Sequence, residues 1–355
     1  MPFCSGHARV RRASHVDSAC LSNYEANYDK YRYRFSSRSH HPKESTTNKM
    51  SLHSTNLDGI LPLVARGKVR DIYEVDSKTL LFVATDRISA YDVIMSNGIP
   101  AKGKILTQLS EFWFDFLSGE VPNHLALPAG STDLFKHLPA ELSEPKYRDQ
   151  LEGRSLLVKK MKLIPLEVIV RGYITGSAWK EYKTKKTVHG LKITQDDLQE
   201  SQEFSQPIFT PSTKAEQGEH DENISPEQAE KIVGKELCEK VAEIAIKLYT
   251  KAKNYAKERG IIIADTKFEF GLDENDNVVL VDEVLTPDSS RFWSAASYKI
   301  GAGQDSYDKQ FLRDWLTANN LNGKDGVAMD ELIATRTKLK YIEAYEALTG
   351  NKWSE

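Results

Sequence analysis

Three carboxylates stand where carboxylates are costly. In IADTKFEFGLDENDNVVLVDEV, residues 263–284, Glu269, Asp282 and Glu283 lie inside or at the end of apolar, strand-like runs. An unpaired acid there costs several kcal/mol unless something positive sits against it. The two runs flank LDENDN and read as an antiparallel hairpin. Alternation puts Lys267 and Glu269 on one face and Phe268 and Phe270 on the other, and Glu269 and Asp282, on adjacent arms, are expected to converge. A hard divalent cation, its shell finished by phosphate oxygens, would relieve the burial. The alternative is that Lys267 pairs with Glu269 or Asp282 on a solvated face.

Cations suited to anionic ligands lie elsewhere. ARGKVRD sets Gly67 beside Lys68 and Arg70, two cations on one face of a strand leaving a glycine turn. They either cover phosphates or form a solvated basic edge. LIPLEVIVRGYITGS places Glu167 and Arg171 four apart on one strand face, followed by a Gly turn with Ser177 as an anion donor. That pattern suits a phosphate monoester, or a structural Glu–Arg pair. TPDSSRFW brings Asp288, Ser290 and Arg291 directly after the hairpin, and FTPSTKAEQGEHDENIS adds Lys214, His220 and Asp221. His220 is given no chemistry, and no Ser–His–Asp or Cys–His arrangement has a reason behind it.

The elements that must position these residues are short strands and long helices. Strands are expected near Val69 to Val75 and Thr79 to Thr85 around a turn at Asp76–Ser77, and on either side of Pro165. A helix in ILTQLSEFWFDFLSG closes at Gly119. Residues 183–222 read as a long ordered loop. A helix then starts at Ser225, capped with Gln228 and with Pro226 in its first turn, and runs to Gly260 with Leu237, Val241, Ile244, Leu248 and Ala252 on its apolar face. Two more helices close the chain. This order predicts an α+β fold of two lobes, each with an antiparallel sheet: residues 50–160 and 161–355.

Length and composition are compatible with that plan. The 355 residues allow two to three domains, and no apolar run is long enough to span a membrane. Residues 1–49 hold nine of the 48 Lys and Arg and four of the 51 Asp and Glu, which leaves 39 against 47, a net of −8, for the rest. An acidic body argues against general nucleic-acid binding. Residues 1–49, rich in Ser, Arg and His, read as a disordered extension, with a targeting segment or a start misassigned before Met50 as alternatives. The three cysteines form no disulfide framework and suit a reducing compartment, the cytoplasm.

From about Leu57 onward the chain resembles the SAICAR synthetase family, in its single-function fungal form. LIPLEVIVRGYITGS and IADTKFEFG resemble the two signature segments, and GKVRDIYEV, TDRISAYDV, GKILTQLSEFWF, FTPSTKAEQGEHDENIS and DEVLTPDSSRFW follow in the family's order. The resemblance implies a two-lobed relative of the ATP-grasp fold. It also implies an amide ligase that joins an aminoimidazole ribotide carboxylate (CAIR) to L-aspartate while ATP becomes ADP and phosphate. It implies Mg²⁺ on Glu269 and Asp282 and ATP phosphates near Lys68, Arg70 and Lys267. Adenine is expected along Lys160, Met161 and Leu163, with Lys214, Asp221 and Arg291 in catalysis. For the substrates it implies Arg171, Ser177 and Arg291 with Lys309, Gln310 and Arg313, then Glu167, Asp288 and Ser290, and a further group of Arg87, Ser89 and Asp92. Arg70 stands where many members carry lysine. The partners expected are small molecules, with neither nucleic acid nor membrane, in a monomer or a homodimer. The rival readings are another ATP-grasp ligase or small-molecule kinase, and a nucleic-acid or membrane binder acting through residues 1–49.

Overall fold

Alternation along Arg70–Glu74 and Thr79–Ala84 sorts their side chains between two faces of one sheet. The strands pair antiparallel with Ile72 opposite Phe82 and Arg70 opposite Ala84, between Leu63–Arg66 on one side and Ser155–Lys159 on the other. Tyr73, Leu81, Val83 and Leu157 bury the outer face against Leu142 and Leu151. Arg70, Phe82, Ala84 and Leu156 therefore share the inner face, which looks onto the helix Lys102–Leu117. The computed structural model describes residues 51–214 and 221–355. The expectations for residues 1–49 and for His220 lie outside these.

The larger, seven-stranded antiparallel sheet is built around the long strand Ile261–Leu272. Leu166–Tyr173 lies on one side of it, with Glu203–Phe209 beyond. Val278–Val281 pairs with its C-terminal half and Ser290–Ser294 with its N-terminal half, while Lys162–Leu163 and Ser212–Thr213 complete the sheet. Val168, Val170, Phe268 and Phe270 pack under the helices Lys235–Lys257 and Glu331–Thr349 through Val241, Leu248 and Tyr341.

Two expectations need correcting. Residues 183–222 are not a long loop, because Glu203–Phe209 supplies a strand to the larger sheet. The capping box at Ser225 forms as expected, but Gly234, at φ +86°, divides the helix into Pro226–Val233 and Lys235–Lys257. A core confined to residues 57–157 backs the smaller sheet, while the helix between its strands joins the core of the larger one. The helix Lys102–Leu117 is apolar around most of its girth, so it sends Ile105, Leu109 and Trp113 into the core of the larger sheet. Ile88 and Ile99 likewise pack on Leu312, Leu316 and Ile333. All described residues belong to one compact unit, Lys49–Glu355.

Candidate active site

The hairpin forms in the register Glu269 opposite Val281 and Phe270 opposite Leu280. Plain alternation would therefore send Asp282 to the face of Phe270, away from Glu269. Asp282 instead follows the last strand residue with φ +69°, a left-handed turn that aspartate tolerates, and the turn re-aims its carboxylate. Glu269 is 8 % exposed. Lys267 Nζ reaches its Oε1 at 2.8 Å, and Lys214 bonds its Oε2. Burial works against the charge on Glu269, yet Lys267 and Lys214 outweigh it and hold the carboxyl well below its usual range. Arg70 grips Asp282 with both terminal nitrogens, Nη2 to Oδ2 at 2.6 Å, and lies 3.5 Å from Glu283 Oε1. Burial opposes the Arg70 charge, and Asp282, Glu283 and Glu269 together hold it ionised. Lys267 feels Glu269, Glu167 and Asp282 in the same way, so these acids share one electrostatic neighbourhood.

Lys267 does pair with Glu269, but in a largely buried knot and not on a solvated face. The donor set fits a hard divalent cation. Glu269 and Asp282 would hold it, and such an ion keeps waters and phosphate oxygens in its shell rather than an all-protein cage. Among the described residues no group of three His, Cys, Asp or Glu could hold a metal alone. Phosphate would have to complete the shell while Arg70, Lys214 and Lys267 turn toward it.

Lys68 lies in the bend before the strand, half-exposed, with Nζ 2.8 Å from Asp92 Oδ1. It does not share the strand face of Arg70. Lys160, Met161 and Leu163 lie where the chain passes from one sheet to the other. Lys160 Nζ bonds Glu74 Oε2 at 2.7 Å, and Leu163 pairs with Gly271. Asp221 is exposed, near enough to Glu167 to add to the burial that pushes that carboxyl up.

A cavity of about 750 Å³ holds most of the expected substrate residues. Ser89, Asp92, Ser177 and Arg291 border it, as do Lys309, Gln310 and Arg313 of the helix Gln310–Ala318 and its start. With Lys180 and Lys183 its wall carries five cations against the three carboxylates Asp92, Glu200 and Asp314. An anion is favoured there. Arg291 Nη1 bonds Asp265 Oδ2 at 2.5 Å, and Asp265 raises the pKa of the guanidinium. Gly176 has φ +59°, and a Cβ there would stand 2.6 Å from Arg291 Nη2, so only glycine lets the arginine lie over the turn.

Other expected ligands are spent inside the protein. Arg171, 3 % exposed, sits behind the cavity wall: Nη1 bonds Asp265 Oδ2 at 2.8 Å and Nε bonds Thr210 Oγ1 at 3.0 Å, while burial pushes its pKa down. It shares Asp265 Oδ2 with Arg291 and so buttresses that arginine. Glu167 is not its partner, because four strand residues span about 13 Å. Glu167 bonds Lys267 across the sheet at 2.8 Å instead. Arg87 donates to the carbonyls of Lys68, His53, Gly67 and Arg70 and to Asp71 Oδ1 at 2.9 Å, a rivet for the glycine turn. Ser290 Oγ is buried against Thr266 Oγ1 at 2.8 Å. Asp288 is buried between Lys102 and Lys309, with Tyr341 donating to its Oδ1 at 2.7 Å.

Sequence reasoning passed over Asp265 and Lys102. Asp265 interrupts the apolar run IIIADTKF, the same signal that singled out Glu269. For Lys102, between Ala101 and Gly103, no residue pattern gave notice.

Residues 63–329 match the family model for SAICAR synthetase. The Saccharomyces cerevisiae phosphoribosylaminoimidazole-succinocarboxamide synthase is 73% identical over 306 residues, which are 86% of this chain and 100% of that protein. A solved structure described as SAICAR-synthase from Saccharomyces cerevisiae complexed with SAICAR superposes with TM-score 0.80 at 70% identity, over 86% of this chain and 100% of that one. A SAICAR synthetase (Type-2) in complex with ADP gives 0.60 at 27% identity, over 82% of this chain and 99% of the other.

Proposed function

The chain belongs to the SAICAR synthetase family, and we propose on that footing that it joins the carboxylate of CAIR to the amine of L-aspartate in de novo purine biosynthesis, with ATP becoming ADP and phosphate. One observation carries the reading: an acid–cation knot of Glu269, Asp282, Arg70, Lys214 and Lys267 occurs in the same compact unit as a basic cavity walled by Arg291, Lys309 and Arg313. The first suits a polyphosphate with its cation, the second a phosphorylated, carboxylated substrate.

An ionised carboxylate does not accept an amine, so it must first carry a leaving group. A carboxylate oxygen of CAIR attacks the terminal phosphorus of ATP, the bond to ADP breaks, and an acyl phosphate results. The aspartate nitrogen then bonds to the acyl carbon as phosphate leaves with the carbon–oxygen electron pair and a proton is released. Neither step needs a protein nucleophile. In-line phosphoryl transfer requires positioning and charge neutralisation. Arg70, Lys214 and Lys267 supply cations for the phosphates, with Lys68 reaching in from the bend. Magnesium on Glu269 and Asp282 would add Lewis-acid neutralisation of the phosphate oxygens. Ser177, Arg291, Lys309, Gln310 and Arg313 hold CAIR. Ser89 and Asp92 stand at the cavity edge, and Asp221 borders Glu167 and the knot.

No helix among the described residues is long and apolar enough to cross a membrane. The free, buried thiol of Cys238 suits the cytoplasm. The test is ADP release in a coupled assay. Sustained, multiple-turnover ADP release should require both CAIR and aspartate; continued turnover with CAIR alone would mark a kinase and overturn the ligase reading.

A further inference from the structure

One buried ionic cluster touches the roles above through Lys309 alone. It lies where the start of the helix Lys102–Leu117 meets the loop carrying Asp288 and the helix Glu331–Thr349. Asp288 Oδ2 stands 2.8 Å from Lys102 Nζ and 3.1 Å from Lys309 Nζ, and its Oδ1 accepts the Tyr341 hydroxyl. Lys102 is 0 % exposed and Lys309 8 %. Lys102 lines the narrow cleft beside Asp282 and Glu283, and Lys309 borders the substrate cavity.

Burying a lysine is costly, and a methionine of similar length would pack without the cost. The arrangement also leaves a charge over: two ammonium groups face one carboxylate. Lys102 makes the shorter contact with the oxygen they share, so Asp288 cannot be spent wholly on Lys309. Burial pushes the Lys309 ammonium below its usual range; Asp288 and Glu283 draw it up, and Lys102 and Arg313 of its own helix press it down. Building on the ligase reading, we propose that Lys102 is a positioning residue. By standing 2.8 Å from Asp288 Oδ2 as a competing ion-pair partner it keeps Lys309 from being drawn wholly to Asp288 and so available to the anionic imidazole carboxylate substrate, while Tyr341 fixes the carboxylate from its other oxygen.

A double-mutant cycle in the full-length chain tests this, with CAIR varied at saturating ATP and aspartate and folding followed by thermal unfolding. Lys102→Met should raise the KM for CAIR by about tenfold and leave kcat within about twofold, the mark of lost ground-state binding. Lys309→Met should also raise that KM, and the double variant should be no worse than Lys309→Met alone, because Lys102 acts through Lys309. A double-variant KM increase equal to the product of the two single increases, or an unchanged KM in a folded Lys102→Met protein, overturns the proposal. Should Lys102→Met not fold, Tyr341→Phe takes its place in the same cycle: it leaves every charge and loosens Asp288. Its increase in KM should vanish in the Lys309→Met background, and persistence there refutes the proposal. A wild-type chain without aspartate-dependent ADP release would instead sink the ligase reading itself.

Discussion

Replacing Glu269 by Gln removes the anion at the centre of the acid–cation knot and keeps its shape. Glu269 is 8 % exposed, while the side chains of its partners Lys214 and Lys267 are 33 % and 28 % exposed. Breaking a fully buried pair costs about 3–5 kcal/mol, but water reaches both lysines here and Lys267 keeps Glu167, so about 1–3 kcal/mol is expected. That is less than the whole stability of a domain, and the variant should fold. Turnover should fall much further, by about 10²- to 10³-fold, because the phosphate-organising charge is gone. The pH dependence gives a second readout. With the folded carboxyl held below its ordinary 4.5, its stabilisation is present above that pH and is lost as pH falls below it. The gap in unfolding temperature between wild type and Glu269→Gln should therefore be widest at neutral pH and narrow below about pH 4.5. Aspartate-dependent ADP release and thermal unfolding across pH supply both tests. Turnover within about threefold of wild type would remove Glu269 from phosphate handling, and a pH-independent gap would refute the depressed carboxyl.

Arg171→Ala should act chiefly on stability, by about 3–5 kcal/mol in chemical denaturation, since it strips a buried partner from Asp265; Arg291→Ala should chiefly raise the KM for CAIR, and the reverse pattern would show that the two arginines have been assigned the wrong way round. Gly176→Ala, which meets both a positive φ and the Arg291 guanidinium, should raise the same KM and cost about 1–2 kcal/mol of stability, so an unchanged KM would mean that Arg291 need not lie over the turn. His124 is buried beside Phe82 and Phe114, and burial pushes it from 6.5 down to about 4. Neutral His124 therefore stabilises the fold above pH 6.5, and that contribution, about 3 kcal/mol at most, fades as pH falls toward 4. His124→Phe should flatten the stability profile across that window in urea titrations, and an unchanged slope would acquit the histidine.

Legibility in the sequence followed the range of the interaction. The hairpin, the Ser225 capping box and the two strands around Asp76–Ser77 were readable because neighbours along the chain decide them. Glu203–Phe209 was not, because its polar sequence becomes a strand only by pairing with Leu166–Tyr173. The helix Lys102–Leu117 announced its own existence but not which core would receive it.

The site divides in the same way. Residue type and spacing identified Glu269 and Asp282 against Arg70 and Lys267, and Arg291 after the hairpin, whereas Lys309 and Arg313 came only from the resemblance to the SAICAR synthetase family. Which acid meets which cation was settled by register and by backbone turns that no periodicity contains. Asp282 is re-aimed by a single left-handed residue, Glu167 finds Lys267 across the sheet in place of Arg171 along it, and Arg171 withdraws behind Asp265. Lys102 shows this most plainly: an unremarked lysine in sequence becomes a wholly buried charge. The physical reason is that an ion pair is fixed by distances of about 3 Å between atoms far apart in the chain, and only packing sets those distances.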